Sequence, residues 1–202
     1  MELTNQHLPF ELTKEYLEKI QAAISEQNNE FIRTEMEELF PADITNILYE
    51  LEGEEAHYLV TLLDTKLAAE IIINLDPDDR KKFLKNFTSQ QIAEYVDLLD
   101  SDDAVDILNE QPVNVREEVI ALVSDREQAR FIIDLLHYDE DCAGGLMQKE
   151  LVKINVKQSV TECVEEIRRQ AEDVENVYSV YVVDDEGTLL GRASLKKIIL
   201  AK

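Results

Sequence analysis

Carboxylates are the side chains of this sequence that could do chemistry. The chain carries 44 Asp and Glu residues against 20 Lys and Arg, a formal net charge of −24 at pH 7. Glu70 and Asp106 lie inside stretches with helical apolar spacing, and Asp102 stands four residues before Asp106, so both would share one helix face. Like charges at that spacing cost about a few tenths of a kcal/mol unless something neutralises them. Such self-repulsion destabilises a compact state unless counter-cations collect.

Other acids in the same region are better explained as helix caps. Asp64, Asp76 and Asp100 each stand just before a helical stretch, where a carboxylate oxygen can accept a hydrogen bond from a free backbone N–H. The positive end of the helix dipole stabilises their charge and disfavours a cation at the same place. We therefore interpret these three acids as caps rather than as metal ligands.

The composition argues against several functional classes. Phosphates of nucleic acid and an anionic membrane surface would both repel so acidic a chain, so neither is expected as a partner. His7, His57 and His137 are scattered, with no second His or Cys at metal-ligand spacing, which argues against a zinc site. We find no glycine-rich phosphate loop, nucleophile elbow or Cys–His arrangement in the sequence, and we expect no enzyme.

Cysteine usage and hydropathy predict a soluble chain from a reducing compartment. The two cysteines, Cys142 and Cys163, lack the context of a small secreted scaffold, so we expect both to be small core residues. The first ten residues have no basic region followed by an apolar run, so we expect no signal peptide. The longest apolar runs, near 68–75 and 177–183, fall short of the roughly 20 residues that span a membrane.

A 12-residue repeat must position the acids. An apolar residue, then capping residues and about nine residues of helical spacing recur every 12 residues, starting at Leu39, Leu51, Leu63, Leu75, Phe87 and Leu99. Each unit is one short helix with its turn, and two units make a helical hairpin that cannot bury its apolar stripe alone. We therefore predict a right-angled or superhelical stack of short helices. After Pro112 we expect the repeat to loosen.

The pattern changes after Gly144-Gly145, where two adjacent glycines permit close backbone approach or positive φ. Beyond them the residues predict strand, helix, strand, strand and helix. The predicted parts are a strand over Leu151–Val156, a helix from a capping box at Ser159, a strand over Val177–Val183, a turn over Asp184–Gly187, a strand over Leu189–Ala193 and a last helix capped by Ser194.

The predicted fold class is mainly α, then α+β. We expect N-terminal helices over 1–36, the helical repeat over 37–137, the Gly-Gly joint over 138–150 and a βαββα unit over 151–202. A unit of that size is small to stand alone and would favour a partner face.

Two segments carry a resemblance to a known family. Ala143-Gly144-Gly145-Leu146-Met147, followed by Val177-Tyr178-Ser179-Val180-Tyr181-Val182-Val183-Asp184 and by Gly187, resembles the cytosolic part of MgtE-type magnesium transporters. The resemblance extends over nearly the whole chain from about Phe31. It implies that the helical stack is a superhelical N-terminal domain and that the βαββα unit is a CBS motif, the first of an expected pair. It also implies that the chain is a fragment lacking the second CBS motif and the membrane domain.

The resemblance implies a Mg²⁺ sensor on the cytoplasmic side of the cell membrane. In that family Mg²⁺ is bound between the N-domain, the CBS domain and the neighbouring subunit of a homodimer, and this holds the channel closed. Glu70, Asp102 and Asp106 match the positions of N-domain acids that the family uses as ligands. The remaining ligands come largely from the absent parts, so these sites would be incomplete here. Mg²⁺ prefers oxygen ligands and often binds through one or two carboxylates with several waters.

Two further interpretations follow. CBS pairs can bind adenine nucleotides through Gly, Ser or Thr, and Asp, at places that Gly191, Ser194 and Lys197 occupy here. Ser194 is the candidate, but Lys197 replaces the acid and the second motif is missing, which argues against nucleotide binding. The alternative function is an acidic helical-repeat adaptor for protein interaction with no metal-sensing role, since stacked helical hairpins often present a binding surface.

Overall fold

The computed structural model describes residues 10–171, 174, 177 and 179–201. Their contacts divide the chain into two units. The first comprises the chain up to Leu99 together with Asp103–Leu136, and the second comprises Asp100–Asp102 together with the chain from His137 onward. No helix among the described residues is long and apolar enough to cross a membrane. The expected division at 36/37, 137/138 and 150/151 remains a prediction.

Short helices build the first unit, except that residues 101 and 102, which begin one of them, belong to the second unit. They are α1 Lys14–Ser25, α2 Asn29–Glu37, α3 Pro41–Glu50, α4 Gly53–Leu62, α5 Thr65–Asn74, α6 Pro77–Phe83 with a 3₁₀ turn Leu84–Asn86, α7 Ser89–Val96, α8 Ser101–Asn109, α9 Val113–Leu122 and α10 Arg126–Leu135.

The 12-residue repeat is confirmed, and it is longer than predicted. Helices α2 to α9 begin at residues 29, 41, 53, 65, 77, 89, 101 and 113. The expectation that the repeat loosens after Pro112 was wrong in part, because α9 still begins in register with Pro112 as its N-cap, where no backbone donor is needed. The shift comes one helix later: α10 begins at Arg126, capped by Asp125, which accepts hydrogen bonds from the N–H groups of Glu127 and Gln128.

Asp64 caps α5 as predicted, accepting a hydrogen bond from the Lys66 N–H. Thr13 and Asn28 accept hydrogen bonds from backbone N–H groups of α1 and α2 in the same way. Asp76 occupies the N-cap position of α6 but makes no capping hydrogen bond, and Pro77 supplies the start instead.

The helices pack against partners two units away. Helix α3 packs on α5, α5 on α7, and α7 on α9, while α4 packs on α1 and α2. This is the predicted stacking of 24-residue hairpins, and it buries an aliphatic core. The largest fully buried side chains include Ile20, Ile32, Met36, Ile44, Ile47, Leu59, Ile71, Ile72, Leu84, Ile92, Ile107 and Leu108.

Polar contacts also join helices of the stack. The Tyr58 hydroxyl donates to Asn29 Oδ1 at 2.6 Å, linking α4 to α2. The Asp76 N–H donates to the Tyr49 hydroxyl at 2.8 Å, which links the start of α6 to α3. The Ser89 hydroxyl donates to a Glu118 oxygen at 2.8 Å, linking α7 to α9. Because hydrogen bonds are directional, these contacts restrict the rotation of each helix relative to its partner.

The second unit has the predicted βαββα order. Its elements are β1 Val152–Asn155, α11 Val160–Gln170, β2 Val180–Val183, β3 Leu189–Ala193 and α12 Leu195–Leu200. Strand β2 is central, parallel to β1 with Val152 opposite Val180, and antiparallel to β3 with Val180 opposite Ala193. Helix α11 supplies the crossover that a parallel pair requires.

Two predictions for this unit were wrong in part. The predicted strand 177–183 is described as a strand only from Val180, because its partner β1 begins at Val152; Tyr178 lies outside the described residues. Ser194 is the N-cap residue of α12, but its side chain makes no capping hydrogen bond. The turn before β3 is as predicted, with Gly187 at φ 82°.

The capping box of α11 is confirmed. The Ser159 hydroxyl accepts from the Glu162 N–H, and the Glu162 carboxylate accepts from the Ser159 N–H. The Ser159 N–H donor holds the pKa of Glu162 below its ordinary value. The helix places Cys163 and Ile167 against Val152, Ile154 and Val180 in the core. Burial raises the pKa of the Cys163 thiol, as a core residue requires. Cys142 is half-buried rather than a core residue, and both cysteines are free.

The Gly-Gly joint serves close backbone approach. A Cβ on Gly145 would stand 2.3 Å from the Asp139 carbonyl oxygen, and one on Gly144 would stand 2.3 Å from the Tyr138 ring. Neither glycine has a positive φ. The Gly145 N–H donates to the Cys142 carbonyl at 3.1 Å, so the segment folds back on itself.

A carboxylate caps the start of α8 within the second unit. Glu150 accepts hydrogen bonds from the Ser101 N–H at 3.1 Å and from the Ser101 hydroxyl at 2.7 Å. The same hydroxyl accepts from the Lys149 N–H at 3.0 Å, and Gln148 donates to Asp100 at 2.6 Å. Ser101 is fully buried, so these donors depend on Glu150.

We expect Gly145→Ala to lower the free energy of unfolding by about 1–3 kcal/mol, because the backbone at Asp139 must move to admit the methyl group. Gly53→Ala is the matched control: nothing lies within 4 Å of a Cβ there, and alanine is the better helix former. Urea unfolding followed by circular dichroism measures both. Equal midpoints for the two variants would contradict the close approach.

We expect Glu150→Ala to lower the free energy of unfolding by about 1–3 kcal/mol, because the buried donors of Ser101 lose their acceptor. Glu150→Gln keeps one acceptor oxygen and should lower the free energy of unfolding by less. Thermal unfolding of the two variants and the unsubstituted chain tests this order, and an unchanged midpoint for Glu150→Ala would show that the cap adds nothing.

Candidate metal-binding site

Asp102 combines charge with partial burial. It is the second residue of α8 and is half-buried. Its Oδ1 atom is shielded from solvent and has no hydrogen-bond partner among the described residues. A shielded carboxylate oxygen without a donor costs free energy, and a donor or a cation would offset that cost. Glu150, which caps the same helix, is itself a carboxylate that accepts from Ser101, so it supplies no donor for Asp102 Oδ1.

The other two candidate acids are more accessible. Asp106 lies four residues after Asp102 on α8 and is exposed. Glu70 lies on α5, where its side chain is 36% exposed and 3.9 Å from Lys66 Nζ. An ion pair of that length at the surface contributes little, so it does not compete strongly for the Glu70 carboxylate.

The described residues do not bring three metal-ligating groups together. Among them, no group of three or more His, Cys, Asp or Glu side chains could hold a metal ion. A full carboxylate cage is not what Mg²⁺ needs, because it usually binds through one or two carboxylates and keeps several waters. The carboxylate oxygens of these side chains suit binding of that kind. The metal roles of Glu70, Asp102 and Asp106 remain predictions.

Sequence reasoning missed a buried ion pair in the first unit. Arg80 on α6 is only 4% exposed, and its guanidinium donates to both oxygens of Glu110. A signal for it was present. The same position of the 12-residue repeat is occupied in α9 by a second arginine, the half-buried Arg116, and in six other helices by buried apolar residues: Ile32, Ile44, Ala56, Ala68, Ile92 and Ala104. An arginine at a core position is almost never buried without a partner.

The nucleotide candidate, Ser194, lies between β3 and α12. Gly191 is within β3, and a Cβ there would meet nothing within 4 Å. Lys197 follows in the first turn of α12. No carboxylate occupies the position where the resemblance requires one, so the interpretation against nucleotide binding remains a prediction.

Comparison with known proteins places both units. The family model described as the MgtE intracellular N domain matches residues 39–141, and the CBS domain model matches residues 143–202. The magnesium transporter MgtE of Thermus thermophilus is 34% identical over 186 residues, which are 90% of this chain and 41% of that protein. The magnesium transporter MgtE of Enterococcus faecalis is 40% identical over 74 residues, which are 37% of this chain and 16% of that protein. The chain thus spans less than half the length of these relatives.

Two solved structures share the fold. The cytosolic domain of the Mg²⁺ channel MgtE in complex with ATP matches with a TM-score of 0.83 and 32% identity, over 92% of this chain and 76% of that one. The soluble part of a magnesium transporter matches with a TM-score of 0.78 and 26% identity, over 94% of this chain and 74% of that one. Because the N-domain model covers about half of the chain and the CBS model follows it directly, the chain belongs to the MgtE family and contains the intracellular N domain of that family followed by a CBS domain.

Proposed function

We propose that this chain is the cytosolic, Mg²⁺-sensing regulatory region of a magnesium transporter, in which Mg²⁺ bridges acidic faces of the helical domain and the CBS domain and favours the closed state. The observation that carries the proposal is the shielded, unpartnered Oδ1 of Asp102 on a helix that also carries Asp106. A divalent cation with oxygen preference would lower the cost of that oxygen and of the repulsion between the two carboxylates.

Electrostatic repulsion between acidic surfaces is the force on which such a sensor depends. At −24, acidic surfaces of this protein repel one another when cations are scarce. A cation that binds one arrangement more tightly than another shifts the population toward it by that difference in affinity and by no more. Mg²⁺ supplies the positive charge, and Glu70, Asp102 and Asp106 supply the carboxylate oxygens in the helical domain.

The relatives support the wider setting. They are named as magnesium transporters, and one solved neighbour is named as the cytosolic domain of a Mg²⁺ channel. We propose that this chain lies on the cytoplasmic side of the cell membrane, in a homodimer, and acts with a second CBS motif and a transmembrane domain of the same protein. We expect it to regulate transport rather than to catalyse a reaction. ATP is bound in the neighbour, but Lys197 stands where a ribose-binding acid would be needed here.

We expect millimolar-range MgCl₂ to raise the thermal unfolding midpoint and the protease resistance of the chain more than NaCl of matched ionic strength does. At a concentration ten times Kd, a ligand that binds only the folded state adds about 1.4 kcal/mol to the free energy of unfolding. The combined substitutions Glu70→Ala, Asp102→Ala and Asp106→Ala should remove most of the Mg²⁺-specific part.

The matched control is Glu37→Ala, Glu50→Ala and Glu117→Ala, which changes the net charge equally at three exposed helix positions. It should keep the Mg²⁺ response. If MgCl₂ and NaCl act alike on the unsubstituted chain, the ion only screens charge, and the adaptor function becomes the better account.

A further inference from the structure

Arg80 is a buried side chain that contacts two other elements of the first unit. Its Nε donates to the two oxygens of Glu110 at 2.9 and 3.1 Å, and its Nη2 donates to Glu110 Oε1. Its Nη1 donates to the Ile73 carbonyl at 2.8 Å. The two charged side chains are 5% and 14% exposed. The planar guanidinium therefore holds two partners in directions that its own geometry dictates.

Both partners lie at the ends of helices that carry candidate ligands. Ile73 is in the last turn of α5, three residues after Glu70. Glu110 directly follows α8, four residues after Asp106. Helix α6, which carries Arg80, follows α5 in the chain. One guanidinium thus ties the end of the helix that bears Glu70 to the end of the helix that bears Asp106.

Stability does not by itself account for the pair. A buried ion pair is often no more stabilising than apolar side chains of similar volume, because both charges must leave water. Six other helices of the repeat, α2 to α5, α7 and α8, place isoleucine or alanine at the position of Arg80 and bury it, whereas α9 places the half-buried Arg116 there. An aliphatic side chain would pack there, but it would not set the distance or the rotation of α5 against α8.

We propose that Arg80, together with Glu110, is a positioning residue for the Mg²⁺ response: it fixes Glu70 relative to Asp106 by holding the ends of α5 and α8. This inference rests on the proposed Mg²⁺-sensing function. It assigns the pair no contact with the metal. What the pair supplies is a defined separation between carboxylates that lie on two different helices of one unit.

The test removes the directional bonds and leaves no buried charge unpaired. The double substitution Arg80→Met and Glu110→Leu should leave the unfolding midpoint in Mg²⁺-free buffer near that of the unsubstituted chain. The concentration of MgCl₂ that gives half of the Mg²⁺-specific thermal shift should rise about tenfold, the lower end of the effect of losing a residue that supports metal ligands. Tyr58→Phe is the control, because it breaks an interhelical bond between α4 and α2 without changing charge, and the half-saturating concentration should not move.

Arg80→Lys gives a second readout. It keeps the positive charge but lacks the planar guanidinium with its several N–H donors, so it should also weaken the Mg²⁺ response. It serves as the test if the double variant does not fold. A half-saturating concentration equal to that of the unsubstituted chain, in either folded variant, overturns the positioning role while the sensing function stands. If the unsubstituted chain shows no Mg²⁺-specific shift, the proposed function fails and this inference fails with it.

Discussion

The fold depends on one constraint: a helix of about ten residues cannot keep its own apolar stripe out of water. Isolated helices this short are marginal in water even with favourable residues, so tertiary packing supplies most of their stability. In the first unit α3 packs on α5, α5 on α7 and α7 on α9, so each of these helices contacts the helix two units further along the chain. The 12-residue period keeps the apolar stripe in phase for that contact, which explains why eight successive helices begin at equal spacing.

The same constraint sorts the charges. Core positions of the repeat take isoleucine, alanine or leucine, and the many acids are left for caps and outer faces. Several charged side chains among the described residues depart from this sorting. Arg80 enters a core position and is neutralised there by Glu110, whereas Asp102 Oδ1 and Arg116 Nε are shielded without a hydrogen-bond partner. Buried polar groups are normally satisfied, so an exception of the second kind points to a ligand or a function rather than to stability.

The second unit has less core to rely on. Five buried side chains, Val152, Ile154, Cys163, Ile167 and Val180, form its centre. Apolar residues at its far end are exposed: Leu189 and Leu190 of β3, and Ile199 and Leu200 of α12, at 55–69%. So small a unit buries a modest share of its surface, and its local devices carry more weight. The α11 capping box, the Gly-Gly joint and the Glu150 cap are such devices.

Sequence alone determined the period, most of the caps, the βαββα order and the family, because these depend on local spacing and on residue type. It was less accurate for the start of β2, which the pairing of Val180 with β1 decided, and for the start of α9 after Pro112. Tertiary structure decided which side chains far apart in the sequence meet, including Arg80 with Glu110 and Ser101 with Glu150. Those pairs are 30 and 49 residues apart. No local pattern encodes such a contact, since it arises only when stacking of the helices or folding of the joint brings the two side chains together.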